Sequence, residues 1–309
     1  MRYRQKQMRQ MGIAIMGFTA ILLLVVLVAP KLMPAPAATV AVETPEAPKV
    51  DSYQGVSLIG KAAVVYDLAT GEVLFERNAK AQLPLASLTK LLTMYAASDT
   101  LADNTTITIT DSALAADGDS GFVSGETFRY SDLARLALVA SSNDATQAIA
   151  EAASAKRALS GQNLLASAAS AVGLSQTYAL NGTGLDESTS VSGAYGSASD
   201  IAHLAGAFLA KDPMIARATI EPSLSIHSDT GVVHTLPNTN PDVVHIPNIL
   251  LSKTGFTDLA GGNLVVVYDA AIDHPIAIVV LGSTRDGRFT DVETLLDRTL
   301  AHFANVPGS

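Results

Sequence analysis

The 309-residue chain contains no cysteine and no tryptophan, and aromatic residues make up only 5% of it. Without cysteine there is no disulfide framework, no thiolate metal site and no cysteine nucleophile. Basic residues are also scarce, 20 against 29 acidic, for a net charge of −9. Four of them, Arg2, Arg4, Lys6 and Arg9, crowd the first ten positions with no acid beside them, which leaves about −13 for the rest. So acidic a surface repels phosphate backbones, and no Lys/Arg run interleaved with aromatics relieves it, so nucleic acid is not expected as a partner. The six histidines show no HExxH or other ligand spacing, and neither a metal nor another cofactor is expected. An apolar content of 48% rules out a disordered or collagen-like chain.

One long hydrophobic run is present. Residues 11–29, MGIAIMGFTAILLLVVLVA, hold no charge. As a helix they would cover roughly 28 Å, close to the thickness of a bilayer core. The basic flank of residues 1–10 predicts a cytoplasmic N-terminus, with everything after Pro30 on the far side of the membrane. Ala35-Pro36-Ala37 offers a small-residue cleavage site that would release a secreted form, but the run exceeds the usual signal-peptide core and favours a retained anchor.

Residues 30–55 hold five prolines and no apolar periodicity, which suits an extended spacer. The globular domain is expected over residues 56–309. It opens with two β-like runs, 62–67 and 72–75, joined as in a hairpin. From about 101 to 211 Ala and Leu recur with helical periodicity, as in YSDLARLALVASSNDATQAIAEAASAK, and read as an inserted helical lobe. β character returns at 231–236, 249–252, 264–268 and 276–281, and a closing helix spans about 290–303. Strands at both ends with helices between predict an α/β fold of the α+β type. Its antiparallel sheet is flanked by helices, has the helical lobe beside it and follows one N-terminal transmembrane helix. The crevice between lobe and sheet edge is the natural site.

Two familiar fragments fail. Gly55, Gly60 and Lys61 are spaced as in a P-loop, but Ala62 replaces the hydroxyl that would bind Mg²⁺. Gly118-Asp119-Ser120-Gly121 looks like a protease nucleophile turn, yet the histidine that should precede it is missing, the first being His203.

Three others form a set. Ser87-Leu88-Thr89-Lys90 opens an apolar helical run, and residues three apart share a helix face, so the Lys90 ammonium reaches the Ser87 hydroxyl. Ser87 alone would also serve as a helix cap. Lys90, however, sits in the first turn, where the helix dipole disfavours a cation; this placement and burial both lower a lysine's pKa, as a general base requires. Ser141-Ser142-Asn143 interrupts two helical segments, with Asp144 able to cap the second. Beyond a plain junction, it offers Ser141 as a proton relay and Asn143 as a hydrogen-bonding amide. Lys253-Thr254-Gly255, followed by Phe256, closes a β-like run. A glycine in an edge strand admits a substrate backbone, while Lys253 and Thr254 offer a cation and a hydroxyl to a carboxylate.

SxxK, SxN and KTG stand in that order, the last two at 54 and 166 residues from Ser87. On these motifs and on the blocks AVVYDLATGEVLFERNAKAQLPLASLTKLLT, SSNDATQAIAEAA, VGLSQTYALNGTGL, YGSASDIAHLA and SKTGFTDLAGGNLVVV, the chain resembles the penicillin-recognising serine enzymes. Within them it is similar to the low-molecular-mass penicillin-binding proteins of the serine D-alanyl-D-alanine carboxypeptidase family. The resemblance spans about residues 60–303. It departs at Ser142, where Gly is usual, at Gly182, where Pro follows the Asn, and at Leu250-Leu251-Ser252, where an Asp-Gly pair precedes KTG.

The resemblance implies a β-lactamase/transpeptidase-like fold and acyl transfer on peptidoglycan stem pentapeptides, with β-lactam antibiotics as covalent inhibitors. Ser87 is then the nucleophile, Lys90 its base and Ser141 the proton relay. Asn143 holds the peptide, Lys253 and Thr254 hold the substrate carboxylate beside Gly255, and the backbone N–H groups of Ser87 and Phe256 form the oxyanion hole. A D,D-endopeptidase would use the same residues. A class A β-lactamase would need a Glu where Thr177 stands. A catalytically silent wall-binding module is the reading from another class, and the intact motif residues argue against it.

Overall fold

The computed structural model describes residues 51–271 and 273–304, together with Arg4, residues 7–9, Met11, Gly12 and Met16, which are helical. The expected membrane span at 11–29 falls largely outside the described residues, and among those described no helix is long and apolar enough to cross a membrane. The chain divides into two units, residues 1–50 and 51–309. The second therefore starts a little before the expected boundary at 56. Ser52 and Tyr53 are buried, and the Tyr53 hydroxyl donates to Thr299 Oγ1 at 2.9 Å.

The unit opens with a hairpin, β1 (Ala62–Asp67) and β2 (Val73–Arg77). A short strand β3 (Leu83–Pro84) then leads through a 3-10 turn, Ala86–Leu88, into helix α1 (Thr89–Ser98). The lobe follows: β4 (Thr106–Thr108), α2 (Asp111–Leu114), β5 (Thr127–Arg129), α3 (Tyr130–Val139), α4 (Asn143–Arg157) and α5 (Gly161–Val172). Short strands β6 (Tyr178–Ala179) and β7 (Ala194–Gly196) precede α6 (Ala198–Lys211) and α7 (Pro213–Ala218). A second hairpin, β8 (Ser223–His227) and β9 (Val233–Pro237), leads to the long strands β10 (Ile249–Thr257), β11 (Gly261–Ala271) and β12 (His274–Ser283). Helix α8 (Gly287–Ala304) closes the unit.

The main sheet runs β10-β11-β12-β1-β2, antiparallel throughout, with Ala62 opposite Leu281 where the two ends of the unit meet. Alternation sorts its residues onto two faces. Ala63, Val65, Leu264, Val266, Ile278 and Val280 pack with Val292 and Leu295 of α8. Ala62, Val64, Val265, Val267, Val279 and Leu281 face the other way, into a larger core shared with Leu88, Leu91 and Ile201 of the helical side. Both faces being covered, β1 and β12 read as continuous apolar runs rather than strict alternations.

The antiparallel sheet, its flanking helices and the helical lobe agree with the sequence expectation. Three details differ. The β-like run near 231–236 is one arm of a hairpin whose other arm went unread, because Ser-Leu-Ser-Ile-His buries only Ile226. The Lys253 motif does not end its strand, which continues to Thr257. Helix α4 is capped not by Asp144 but by Ser142, whose Oγ accepts from Ala145 N at 3.1 Å.

Candidate active site

Ser87 lies in the 3-10 turn just ahead of α1 and does not cap it: the residue before the helix, Leu88, makes no side-chain cap. The turn is tightly specified. Ala86 has φ +48°, and a Cβ on Gly184 would fall 1.9 Å from its carbonyl oxygen, so only glycine fits there. Asn263 of β11, fully buried, donates from Nδ2 to Pro84 O and Leu85 O at 3.0 Å and accepts from Gly282 N at 2.8 Å. The turn carrying Ser87 is thereby fastened to the centre of the sheet.

Three residues after Ser87, in the first turn of α1, Lys90 is fully buried. Its Nζ donates to Ser87 Oγ at 2.8 Å, Asn143 Oδ1 at 2.6 Å and Thr183 O at 2.8 Å. Those three acceptors match the three protons of an ammonium, and none is a carboxylate. Burial without a counter-charge pulls the Lys90 pKa down from 10.5 to about 7. Helix α4 supplies Asn143 as its first residue, and the amide is oriented by a second bond from Nδ2 to Asp117 O. Thr183 O is set by Asn181, whose Oδ1 accepts from Thr183 N, Thr183 Oγ1 and Gly184 N.

Ser141, with φ +57°, turns the chain between α3 and α4. Its Oγ accepts from Lys253 Nζ at 2.8 Å, and the same ammonium donates to Thr254 O at 2.9 Å. Lys253 is held well below the usual lysine range by burial first, then by the charges of Lys90 and Arg288. Thr254 donates from Oγ1 to Thr239 Oγ1 at 2.6 Å. Gly255 sits against the nucleophile turn: a Cβ there would lie 2.9 Å from Leu85 O and 3.2 Å from Ser87 N. Buried Arg288 of α8 donates from Nη1 to Gly255 O at 2.8 Å, behind the strand.

The three motifs thus meet. Lys90 bridges the first and second through Ser87 and Asn143, Lys253 bridges the second and third through Ser141, and Gly255 abuts Ser87. Phe256, next along the strand, carries the Arg285 guanidinium 3.9 Å above its ring. Thr183, Asp117, Thr239, Asn181 and Asn263 were not singled out in the sequence; the first two contribute only backbone carbonyls, which any residue offers. Chemically, a hydroxyl beside a lysine poised near neutrality, with a second amine-hydroxyl pair across the cleft, is equipped for acyl transfer through a serine ester. Among the described residues no group of His, Asp and Glu is arranged to hold a metal ion.

Comparison with known proteins points the same way. The chain is 30% identical over 256 residues to a D-alanyl-D-alanine carboxypeptidase, DacF, of Bacillus subtilis, covering 80% of this chain and 64% of that one. It is 30% identical over 293 residues to DacC of Escherichia coli, covering 88% and 67%. It thus spans about two thirds of the length of these curated relatives. Its fold superposes on a D-alanyl-D-alanine carboxypeptidase of Mycobacterium tuberculosis with a TM-score of 0.70 at 26% identity, covering 82% and 94% of the two chains. Penicillin-binding protein D2 of Listeria monocytogenes, solved in an ampicillin-bound form, shares the fold with a TM-score of 0.65 at 24% identity, covering 79% and 98%. The profile described as D-alanyl-D-alanine carboxypeptidase matches residues 46–285 and so takes in every residue of the Ser87 cluster except Arg288; the chain belongs to that peptidase family.

Proposed function

We propose that the chain is a serine D-alanyl-D-alanine carboxypeptidase that removes the terminal D-alanine from peptidoglycan stem pentapeptides. The observation that carries this reading is the 2.8 Å contact between Ser87 Oγ and a buried Lys90 whose pKa lies at about 7. Half-neutral at physiological pH, Lys90 takes the Ser87 proton as Oγ attacks the penultimate D-alanine carbonyl. Negative charge develops on the carbonyl oxygen, which the backbone N–H groups of Ser87 and Phe256 receive. The C–N bond then breaks, and the proton that Lys90 accepted passes through Ser141, which Lys253 holds in place, to the departing amine, leaving Lys90 neutral again. Water, deprotonated by Lys90, cleaves the resulting Ser87 ester and frees the tetrapeptide. β-Lactams place a strained amide at the same serine and remain attached.

In this reading residues 11–29 anchor the protein in a bacterial cytoplasmic membrane, residues 30–55 space the catalytic unit from it, and the unit works outside the cytoplasm. The uncharged run and its basic flank support the anchor.

Intact-mass analysis of the full-length chain with benzylpenicillin, with Ser87→Ala as control, tests the function. A persistent adduct that requires Ser87, together with D-alanine release from a pentapeptide, is the expected result. An adduct that disappears while penicilloate accumulates would indicate a β-lactamase, and no adduct at all would indicate a silent binding module.

A further inference from the structure

The sheet has a second concavity, on the face turned away from the helical lobe. There the 3-10 turn Pro241–Val244 and helix α8 stand apart over Leu264 of β11 and leave a cavity of about 310 Å³. That volume lies at the lower end of the range of small-molecule sites. Leu264 packs with Val292 on the α8 side, whereas Val265, the partner of Lys253, packs into the core on the lobe side. The strand layer therefore separates this cavity from the Ser87 cleft.

The period of α8 builds one wall. Phe289, Val292, Leu296 and Leu300, three or four residues apart, form an apolar stripe along it. Glu293 and Asp297 line the same space from the same helix. Like charges four residues apart weaken a helix, and neither of these carboxylates makes an ion pair among the described residues. From the opposite wall Asp242 adds a third acid, met only by exposed His245 at 3.7 Å. Asn240 fixes that wall: its Oδ1 accepts from Asp242 N at 2.9 Å while its Nδ2 donates to Ser252 Oγ at 2.9 Å.

Among the described residues no lysine or arginine lines the cavity. Arg288 stacks on the Phe289 ring at 4.7 Å, but it is turned to Gly255 O and lies outside the lining. Acids scattered over a convex helix face would be neutralised by solvent alone. These flank a concavity with an apolar wall, where a single sign of charge is focused and draws a counter-ion.

We infer that this cavity is a second ligand site, separate from the serine cleft, for a small organic cation with an apolar body, an aryl or alkyl amine or amidine. The body lies against Phe289, Val292 and Leu296, and the cationic head stands among Glu293, Asp297 and Asp242. A planar amidinium meets a carboxylate with two parallel donors, which makes it the sharpest probe of the site.

The test is isothermal titration of the full-length chain with benzamidine, and with benzyl alcohol as the same ring without the charge. One benzamidine should bind per chain, at least about tenfold more tightly than benzyl alcohol. In the double variant Glu293→Gln, Asp297→Asn its Kd should rise roughly tenfold or more. Leu300→Trp, which crowds the lining from a partly exposed position, should weaken binding to a similar degree. Both charge substitutions are at exposed positions and relieve a repulsion, so that variant should melt no lower than wild type by circular dichroism. No binding at millimolar benzamidine, equal affinity for benzyl alcohol, or an unchanged Kd in both variants would each overturn the proposal, and none of them bears on the chemistry at Ser87.

Discussion

Asn143 Oδ1 accepts from Lys90 Nζ at 2.6 Å, and Thr183 O accepts from the same nitrogen at 2.8 Å. Neither oxygen has a proton to return. When Lys90 is a neutral amine, its two remaining protons are therefore claimed by these acceptors, and its lone pair is left facing Ser87 Oγ. Asn143 thus selects the direction in which the base is basic, and its own orientation is settled by the bond from Nδ2 to Asp117 O.

Replacing Asn143 by Asp puts a carboxylate against the lysine and favours its charged form. Only the neutral amine accepts the Ser87 proton, so acylation in the wild type rises with pH through about 7 and levels off above it. In Asn143→Asp that limb should move up by about 1 to 3 pH units. A pH profile of benzylpenicillin acylation reads the shift; a slower reaction with the limb still near 7 would show that Asn143 does not govern Lys90.

Gly255→Ala introduces a Cβ at 2.9 Å from Leu85 O and 3.2 Å from Ser87 N. The nucleophile turn must shift, and with it the Ser87 N–H proposed above as an oxyanion donor. Acylation should fall roughly 100-fold, the scale of losing one oxyanion donor. Overpacking of this size costs about 1 to 3 kcal/mol, so the unit should remain folded by circular dichroism. Wild-type acylation in this variant would remove Gly255 from any role in shaping the turn.

Asn263→Ala should be the most damaging change that touches no motif. It strips partners from Pro84 O, Leu85 O and Gly282 N inside the core, and unmet buried groups cost about 1 to 3 kcal/mol each. Urea unfolding should show a loss of at least about 3 kcal/mol, and acylation should slow because the Ser87 turn loses its tie to the sheet. A loss below about 1 kcal/mol would mean that the turn holds itself.

What could be read from the sequence depended on how local each relationship is. Ser87 and Lys90 are three apart on one helical turn, so their contact follows from helix geometry alone. The burial that depresses the Lys90 pKa was likewise legible, because Lys90 opens an apolar run. The pairing across the cleft was not. A relay between Lys90 and the leaving group was expected of Ser141, and a peptide contact of Asn143; the structure gives Ser141 to Lys253 and Asn143 to Lys90. Which lysine each side chain meets depends on the left-handed turn at Ser141, and no hydrophobic period encodes that. Asn181 and Asn263 escaped for a related reason: each bonds to backbone atoms of segments brought close only by the finished fold. The Gly261-Gly262 pair is the visible trace of the turn after β12 passing close over β11, where a Cβ on Gly262 would fall 2.0 Å from Thr284 O, but a glycine pair reveals that something passes near without naming it.

The junction of β1 with β12 also bears on how the chain acquires its structure. Ala62 and Leu281 are neighbours in the sheet yet more than two hundred residues apart along the chain. Contacts of such span close slowly, because a long loop must be gathered before they form. Until β12 has been synthesised, β1 is an apolar ribbon lacking the partner on its inner side, and its Ala-Val-Val segment is open to pairing with other chains. Folding yield should therefore depend on how long that strand waits.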